Sequence, residues 1–446
     1  MGTNTSRQPD LEELANRLAM PSGLLPHSDF DAGLTYIGQM VSHDIVANSN
    51  KNAASRRVSG AMDLESLYGA EPYYEFLLRS KETIFFNSDG TFKLNAFNDF
   101  DLPRTSRGIA IIPEQRNDEN AIIAQLHLFW MKLHNYLLQY GYVEDSLAAR
   151  KVTTLIFQSV VVEGFLKTVL DARVYKAYFE KNEQNILDSE TESYLGLDQR
   201  LVPDYFAKAS FRFGHSIVRN DYKLNSKYSF ELEDLFNQGR PIPREQAIDW
   251  FEFFSKESTS INRALPMDTH ISRPMENIPQ KIKDSTLRIT VRNISAGIKA
   301  NLPSGQAVIK KIWSQHNKTI LIELGLKEVA KEMTEKNMKK VLGKIDGLKI
   351  SNLPLWPYIL LESQLLGVRD TTKGGKHLGP LGSILNAECI RRSIRQSQFS
   401  VFTGEGYNFE KDVVPRLGKF ASVAVKKTKE GSVLNFPKLI DIINRN

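Results

Sequence analysis

The sequence predicts a mainly α-helical fold, organised as a single large helical domain with long loops and little β structure. Two long segments, Ala121–Gln139 and 146–171, carry apolar residues at the spacing of a buried helix face. Patterns typical of strands, with alternating apolar residues and hairpin turns, are scarce. The 446 residues show no fixed-period repeat and no shift in composition, which favours one domain over several.

Local patterns place the remaining helices and the loops between them. Segment 353–366 is apolar, and prolines stand near its start, where a helix tolerates them. Segment 436–443 repeats apolar residues at helical spacing around Pro437 and predicts a closing helix. We expect residues 1–29 to form an N-terminal arm and residues 30–446 to form the domain. Long loops are predicted at about 45–70, 85–115, 183–203 and 368–382.

The charge balance and the cysteine count exclude several classes of function. Lys and Arg outnumber Asp and Glu by 58 to 52, so the net charge of +6 is small for a chain of 446 residues. The cluster Lys426, Lys427 and Lys429 is followed by Glu430, as on a solvated surface, and we expect no nucleic-acid partner. The single cysteine, Cys389, excludes an internal disulfide framework and a cysteine-rich zinc or iron–sulfur site.

Membrane and export signals are also missing from the sequence. No stretch approaches about 18 uncharged apolar residues, so we expect no transmembrane segment. The start of the chain, with Asp10, Glu12 and Glu13, lacks the apolar core of a secretory signal. Together with the lack of disulfides, this predicts a cytoplasmic protein, while export by a non-classical route stays open.

Segment 33–44 (GLTYIGQMVSHD) contains the first candidate site residues. If it is helical, Gln39 and His43 stand at i and i+4 and share one face, whereas Asp44 points about 100° away. A histidine beside an acid can transfer protons, or it can be a surface pair on a helix. The residues alone leave both interpretations open.

Segment 59–65 (SGAMDLE) is a candidate cation loop. It offers the side chains of Ser59, Asp63 and Glu65, and Ala61 can add its carbonyl oxygen. Calcium prefers about six to eight oxygen ligands, and an alternating loop can wrap such an ion. The EF-hand pattern is absent, and an ordinary polar loop is the alternative.

Three later segments carry side chains suited to a charged or metal site. Arg116 and Glu119 stand at i and i+3 before the Ala121 helix, as in a capping ion pair or a charged site. His215 follows Gly214 among aromatic residues, which fits a buried histidine or an axial metal ligand. Asn293, in VRNISAG, is a candidate side-chain acceptor.

Taken in order, these segments resemble the animal-type haem peroxidases of the peroxidase–cyclooxygenase superfamily, particularly their bacterial members. The resemblance covers about residues 30 to 390. The matching strings are YIGQMVSHDI, MDLESLYG, RNDEN with HLFWMKLHN, FAKASFRFGHSIVR, VRNISAG with LPSGQAV, and LPLWPYILLES with GGKHLGPLG.

The resemblance implies a role for each candidate residue. It makes His43 the distal base, Gln39 a polar group of the distal pocket and Arg116 the distal cation. It makes His215 the axial ligand of haem b and Asn293 the group that orients its other ring nitrogen. The remaining implied roles are a propionate or proximal contact for Arg212, a haem ester for Glu119, and a calcium site formed by Asp44, Ser59, the Ala61 carbonyl, Asp63 and Glu65.

Departures from the family pattern narrow what the resemblance implies. Ser42 stands where many animal members carry an Asp that forms a haem ester, and Asn120 stands where some carry a methionine linked to haem. At most one covalent link remains, through Glu119. Glu65 replaces a hydroxyl residue and adds charge to the calcium loop. Arg212 occupies the position of the radical tyrosine of the fatty-acid oxygenases, which disfavours a tyrosyl-radical dioxygenase.

The implied activity is reduction of hydrogen peroxide with oxidation of a small organic electron donor or a halide. Two alternatives stay open. One is a non-catalytic interaction or adhesion module that keeps the fold, and the other is a fatty-acid oxygenase or hydroperoxide-processing enzyme.

Overall fold

The structure, a computed structural model, describes residues 8–19, 28–46, 59–69, 83–181, 202–236, 240–254, 262–276, 288–345, 348–367, 374–404 and 406–445. The chain divides into two compact units, each named after one histidine. The His43 unit comprises Asp31–Phe165, Asp221–Asn262 and Ser393–Asn446. The His215 unit comprises Met1–Phe30, Leu166–Asn220 and Arg263–Arg392. The predicted boundary at residue 30 and the predicted single domain stay predictions.

Helices make up most of the described structure, so the prediction of a mainly α fold is confirmed. The helices of eight or more residues are α1 Gln8–Leu18, α2 Gly33–Ile45, α3 Ala121–Gln139, α4 Ser146–Ser159, α5 Ile289–Lys299, α6 Gly305–Gln315, α7 Glu335–Leu342, α8 Leu355–Leu366, α9 Pro380–Arg395 and α10 Phe436–Arg445. Shorter helical segments are Glu65–Tyr68, Gln115–Asp118, Val160–Leu166, Lys167–Val169, Ala172–Tyr175, Lys176–Glu180, Asp204–Lys208, Ser210–His215, Leu232–Leu235, Arg244–Gln246, Trp250–Glu252, Arg273–Glu276, Lys318–Glu323, Leu326–Glu332, Ile350–Asn352, Phe409–Val413, Val414–Phe420 and Ala421–Ala424.

The β structure of the described residues is limited to two antiparallel hairpins. Strand β1 (Asp221–Lys223) pairs with β2 (Ser229–Glu231), and β3 (Val425–Thr428) pairs with β4 (Gly431–Leu434). The lysine cluster that follows Val425 lies on the second hairpin and is exposed, as predicted for a solvated surface. Predicted loop 183–203 lies almost wholly outside the described residues.

Helix α3 forms the centre of the His43 unit and has the predicted bounds. The side chain of Asn120 caps it by accepting hydrogen bonds from the backbone amides of Ile122 and Ile123. The helix contacts α2, α4 and α10, and apolar and polar side chains alike are buried along most of it. The helix predicted from the apolar spacing is therefore observed, and it is packed inside the His43 unit.

Helix α4 continues through a π-helical segment to Val169, close to the predicted 146–171. The 24 residues Ser146–Val169 are long and apolar enough by composition to cross a membrane, although the segment contains charged residues and no uncharged stretch of about 18 residues. However, 78% of the apolar window is buried inside the protein. That degree of burial is typical of a core helix, in which the apolar residues contact other side chains.

In the His215 unit, α8 contacts Ser210–His215, α5 and α6. Helix α1, which belongs to the predicted N-terminal arm, contacts α5 in the same unit. The observed α8 begins at Leu355, two residues after the predicted start, because Pro354 adopts an extended conformation before it. The segment that ends at His215 therefore packs against α8.

A buried carboxylate holds the start of α9. Glu362 is fully buried, and its two oxygens accept hydrogen bonds from the amides of Leu381 at 2.9 Å and Gly382 at 3.0 Å. A Cβ on Gly379 would lie 2.4 Å from Glu362 Cγ, so only glycine lets the loop approach this side chain. Burial raises the pKa of Glu362 to about 7, although the two amides favour the charged form.

We expect Glu362 to make the stability of the protein depend on pH. Its pKa rises from the usual 4.5 to about 7 on folding, so the folded state binds more protons between these values. The free energy of unfolding should then fall as the pH rises from 4.5 to 7, by on the order of 3 kcal/mol from this group. Urea unfolding of wild type and Glu362→Gln across this range measures the difference. Identical pH dependence in the two proteins would contradict the assignment.

Candidate active site

Three of the predicted site residues meet on one side of α2. Gln39 and His43 lie one turn apart on this helix, as their spacing predicts. The amide of Gln39 donates a hydrogen bond to Glu119 Oε1, and the same oxygen lies 3.8 Å from Nε2 of His43. The His43 side chain is 9% exposed and that of Glu119 is 46% exposed. A buried imidazole therefore faces a carboxylate at the edge of solvent.

A residue that the sequence did not single out, Asn117, fixes the His43 ring. Asn117 Oδ1 lies 2.8 Å from His43 Nδ1, and Asn117 Nδ2 lies 2.9 Å from His127 Nδ1. All three side chains are buried. Because the amide nitrogen serves His127, the amide oxygen accepts the proton on His43 Nδ1, and the lone pair of His43 is on Nε2.

The segment that carries Asn117 is itself anchored by charge. The side chain of Glu114 caps the short helix Gln115–Asp118 by accepting from the amide of Arg116. Asp118 receives two hydrogen bonds of 2.8 Å from the guanidinium of Arg104, which also binds Asp101. This network holds the turn between Arg104 and α3 and thereby holds Asn117 against His43.

Arg116 contacts the backbone of His43 and not its ring. Its Nη2 donates to the carbonyl oxygens of His43 at 3.0 Å and Val46 at 2.8 Å, at the carboxyl end of α2. Its guanidinium also forms an ion pair of 2.9 Å with Glu114. A cation suits this end of a helix, where carbonyl groups lack partners. The predicted role as distal cation stays a prediction.

The predicted calcium residues are close together but are bonded to the protein itself. Asp44 accepts hydrogen bonds from the amides of Leu64 and Ser66, at 3.0 and 2.7 Å. Glu65 accepts from the amide of Ser59, whose hydroxyl accepts from the amide of Ala61.

Asp63 faces a different part of the His43 unit. It accepts from the Ser397 hydroxyl and from the amide of Gln398 at 2.9 Å. Among the described residues, no three acidic, histidine or cysteine side chains gather around a common metal position. Asp44 therefore ties α2 to the loop directly, and the calcium site stays a prediction.

In the His215 unit, three predicted residues form a second network. His215 ends the helical segment Ser210–His215, and its Nδ1 lies 2.8 Å from Asn293 Nδ2 on α5. The oxygen of the same amide accepts a 2.8 Å hydrogen bond from Arg212 Nη1. Asn293 therefore contacts the ring of His215, and the predicted role of Asn293 in orienting an iron-bound His215 stays a prediction.

The charges around His215 suit a neutral metal ligand. Burial, together with the nearby cations Arg212 and Arg292, lowers the pKa of His215 to about 3, so the ring is neutral at physiological pH. Burial also lowers the pKa of Arg212 to about 10. Arg212 forms no ion pair with any residue that the structure describes; its partners are the Ala207 carbonyl and Asn293. A buried cation without a counter-ion suits an anionic group of a ligand.

The two histidines of α3 and the single cysteine are buried in the core. Nδ1 of His134 lies 3.0 Å from the Tyr68 hydroxyl, and Nε2 lies 3.0 Å from the Gly90 carbonyl oxygen. Burial lowers the pKa of His134 to about 4. His127 lies in the core, and its Nδ1 is 2.9 Å from Asn117 Nδ2. Cys389 is buried and unoxidised.

A family model and several solved structures are similar to this chain. The family model described as animal haem peroxidase matches residues 42–299. No curated protein matches the sequence.

The solved structures with a similar fold include one peroxidase and two dioxygenases. Peroxidase A from Dictyostelium discoideum is 14% identical, with 94% of this chain and 90% of that chain covered and a TM-score of 0.56. Fatty acid alpha-dioxygenase from Oryza sativa is 14% identical, with coverage of 99% and 78% and a TM-score of 0.62. The Arabidopsis thaliana enzyme of the same name is 13% identical, with coverage of 98% and 74% and a TM-score of 0.59. At these identities the likeness shows the fold alone.

Proposed function

The chain belongs to the animal haem peroxidase family, and from that premise we propose that it is a haem-dependent peroxidase. It reduces hydrogen peroxide and oxidises a small organic donor or a halide. The observation that carries this proposal is the buried His43 ring, whose Nδ1 is bonded to Asn117 at 2.8 Å and whose Nε2 holds the lone pair. A base held in this way can move a proton between two oxygen atoms.

The residues of the His215 unit would hold haem b. His215 is neutral and would bind the iron through Nε2, which requires a proton on Nδ1. Asn293 must then turn its amide oxygen toward His215, so Arg212 must give up that oxygen. We assign a haem propionate as the new partner of Arg212, because its buried guanidinium has no carboxylate partner among the described residues.

The residues of the His43 unit would move the protons. His43 Nε2 takes a proton from one peroxide oxygen and delivers it to the other, which leaves as water. The imidazolium that forms lies 3.8 Å from the Glu119 carboxylate, which Gln39 holds in place. Bound haem would supply the redox chemistry, so that one hydrogen peroxide and two donor hydrogen atoms give two waters. Arg116 would act by holding the end of α2 that carries His43.

Peroxide turnover by the haem-reconstituted protein tests the proposal. We expect hydrogen peroxide to oxidise guaiacol or a halide at a rate proportional to bound haem. A protein that binds haem without this turnover would be a non-catalytic module. Oxygen uptake with an unsaturated fatty acid and no peroxide would identify an oxygenase. Mass spectrometry of acid-extracted haem tests the predicted ester to Glu119.

Calcium has no step in the proposed mechanism, and the predicted calcium residues accept hydrogen bonds from the protein. The calcium prediction is tested by metal analysis of dialysed wild type and Asp63→Ala. Stoichiometric calcium that is lost in Asp63→Ala would confirm it, and metal-free wild type with full activity would refute it.

Asn117 variants should separate positioning of His43 from general damage to the fold. We expect Asn117→Leu to slow the reaction with peroxide by roughly ten- to hundredfold, because nothing then holds the Nδ1–H tautomer of His43. Loss of the hydrogen-bond partner of a functional histidine usually has an effect of this size. Asn117→Asp places an anion beside Nδ1, so His43 keeps its proton to higher pH. The acid limb of the rate profile should then move up by about one pH unit or more.

Stopped-flow rates across the pH range measure both Asn117 variants, and ¹⁵N NMR of labelled histidine reports the tautomer of His43 without any turnover. If Asn117→Asp has the pH profile of wild type, Asn117 does not act through His43.

A further inference from the structure

The His43 unit contains a cavity of about 620 Å³ that none of the proposed catalytic residues lines. One wall is a single face of α3, formed by Gln125, Leu128, Phe129 and Lys132 at i, i+3, i+4 and i+7. Residues of the segment around Trp250 and the end of α10 form the other walls. Its volume lies within the range of small-molecule sites, roughly 300–1,000 Å³.

The walls of this cavity are aromatic and fixed. Phe129 and Trp250 contact each other edge to face, with ring centroids 6.2 Å apart, and Trp250 is buried. Phe100 and Phe251 add two half-buried rings. Such surfaces favour a flat apolar ligand, because aromatic pairs gain from both area and geometry.

The amide groups that line the cavity are already used. Gln125 donates to the carbonyl oxygens of Ala121 and Gln246 and accepts from the amide of Ile248 at 2.9 Å. Asn225 donates to the carbonyl oxygens of Glu245 and Ala247. These bonds hold the walls in place, so the cavity is formed before any ligand arrives.

The ammonium group of Lys132 is the exception. The residue is half-buried, and its side chain forms no hydrogen bond or ion pair with any residue within the described ranges. Burial lowers the pKa of Lys132, while the more distant carboxylate of Asp99 acts in the opposite direction. A partly desolvated cation without a close partner is stabilised by an anion.

We propose that this cavity binds a small aromatic carboxylate, with the ring against Phe129 and Trp250 and the carboxylate on Lys132. Because Lys132 offers a single positive charge, we expect a ligand with one negative charge and not a phosphate. Two carboxylates, Asp99 and Asp249, and one further cation, Arg244, also line the cavity. Asp249 already accepts hydrogen bonds from the amide of Phe251 and from the side chain of Asn444. This site is independent of haem and goes beyond the proposed peroxidase activity.

Calorimetric titration of the full-length, haem-loaded protein with 2-naphthoate tests the site. We expect binding that weakens by about tenfold or more in Lys132→Met, since a hydrogen bond to a charged group is lost. Asp99→Asn should have the opposite effect and tighten binding by about two- to threefold, because a repulsive carboxylate is removed. Lys310→Met, which changes an exposed lysine of the His215 unit, is the matched control and should bind like wild type.

Two further measurements locate the ligand and its charge. Quenching of tryptophan fluorescence by 2-naphthoate should decrease in Trp250→Phe, and the uncharged 2-naphthamide should bind at least about tenfold more weakly than 2-naphthoate. Equal binding of the amide, equal binding by Lys132→Met, or no binding of 2-naphthoate to wild type would each overturn the proposal. Peroxide turnover by Lys132→Met should equal that of wild type, so failure of this site and failure of the peroxidase proposal are distinguishable.

Discussion

Replacing His215 by alanine should remove the haem-binding property of the protein. The imidazole is neutral because burial holds its pKa near 3, and Asn293 fixes it through Nδ1 at 2.8 Å. Loss of an outer partner costs a metal site roughly 10–100-fold in affinity, so loss of the ligand itself should cost more. Haem titration followed by the Soret absorption band measures this difference. Asn293→Leu should keep the band and lose affinity by that smaller factor.

Two controls make the His215 result specific. Free imidazole should restore a ferric six- or five-coordinate spectrum to His215→Ala, because it can fill the space of the missing ring. His316→Ala, in a half-buried position of the same unit, should bind haem like wild type. If His215→Ala binds haem with an unchanged ferric spectrum and affinity, another residue is the axial ligand.

Replacing His43 by alanine should leave haem binding intact and slow the reaction with peroxide by about 10²–10⁴-fold. That factor is the usual contribution of a positioned acid–base group. The loss should exceed that of Asn117→Leu, because Asn117 only holds the ring and Nε2 moves the proton. Stopped-flow mixing with hydrogen peroxide, followed by absorption of the haem, gives the rate constant.

The controls for His43 use the same helix and the same network. Gln39→Leu removes the hydrogen bond to Glu119 and should reduce the rate by less than His43→Ala does. A rate for His43→Ala within about threefold of wild type would contradict its role as the acid–base group. Unchanged Soret absorption in both variants would show that any loss is in proton transfer and not in haem content.

The helices and the order of the motifs could be predicted from the sequence because they depend on near neighbours along the chain. Apolar spacing placed α3 at its observed bounds, and the i, i+4 relation placed Gln39 and His43 on one side of α2. The pairing of His215 with Asn293 was implied by family resemblance, and the 2.8 Å contact agrees with it. Ser146–Val169 is apolar enough by composition for a membrane helix, and the structure shows that 78% of its apolar window is buried inside the protein.

The tertiary structure decided which groups touch across long stretches of chain. Asn117 lies 74 positions from His43, and no periodicity relates the two, so its role could be found only from coordinates. Arg116 turned out to bind the carbonyl end of α2, and Asp44 to bind loop amides, because backbone groups need partners wherever they are buried. The sequence by itself predicted α3, α4, α8 and α10, and the family resemblance singled out His43 and His215. Only the fold decided the hydrogen-bond partners, because those depend on distances that local spacing does not set.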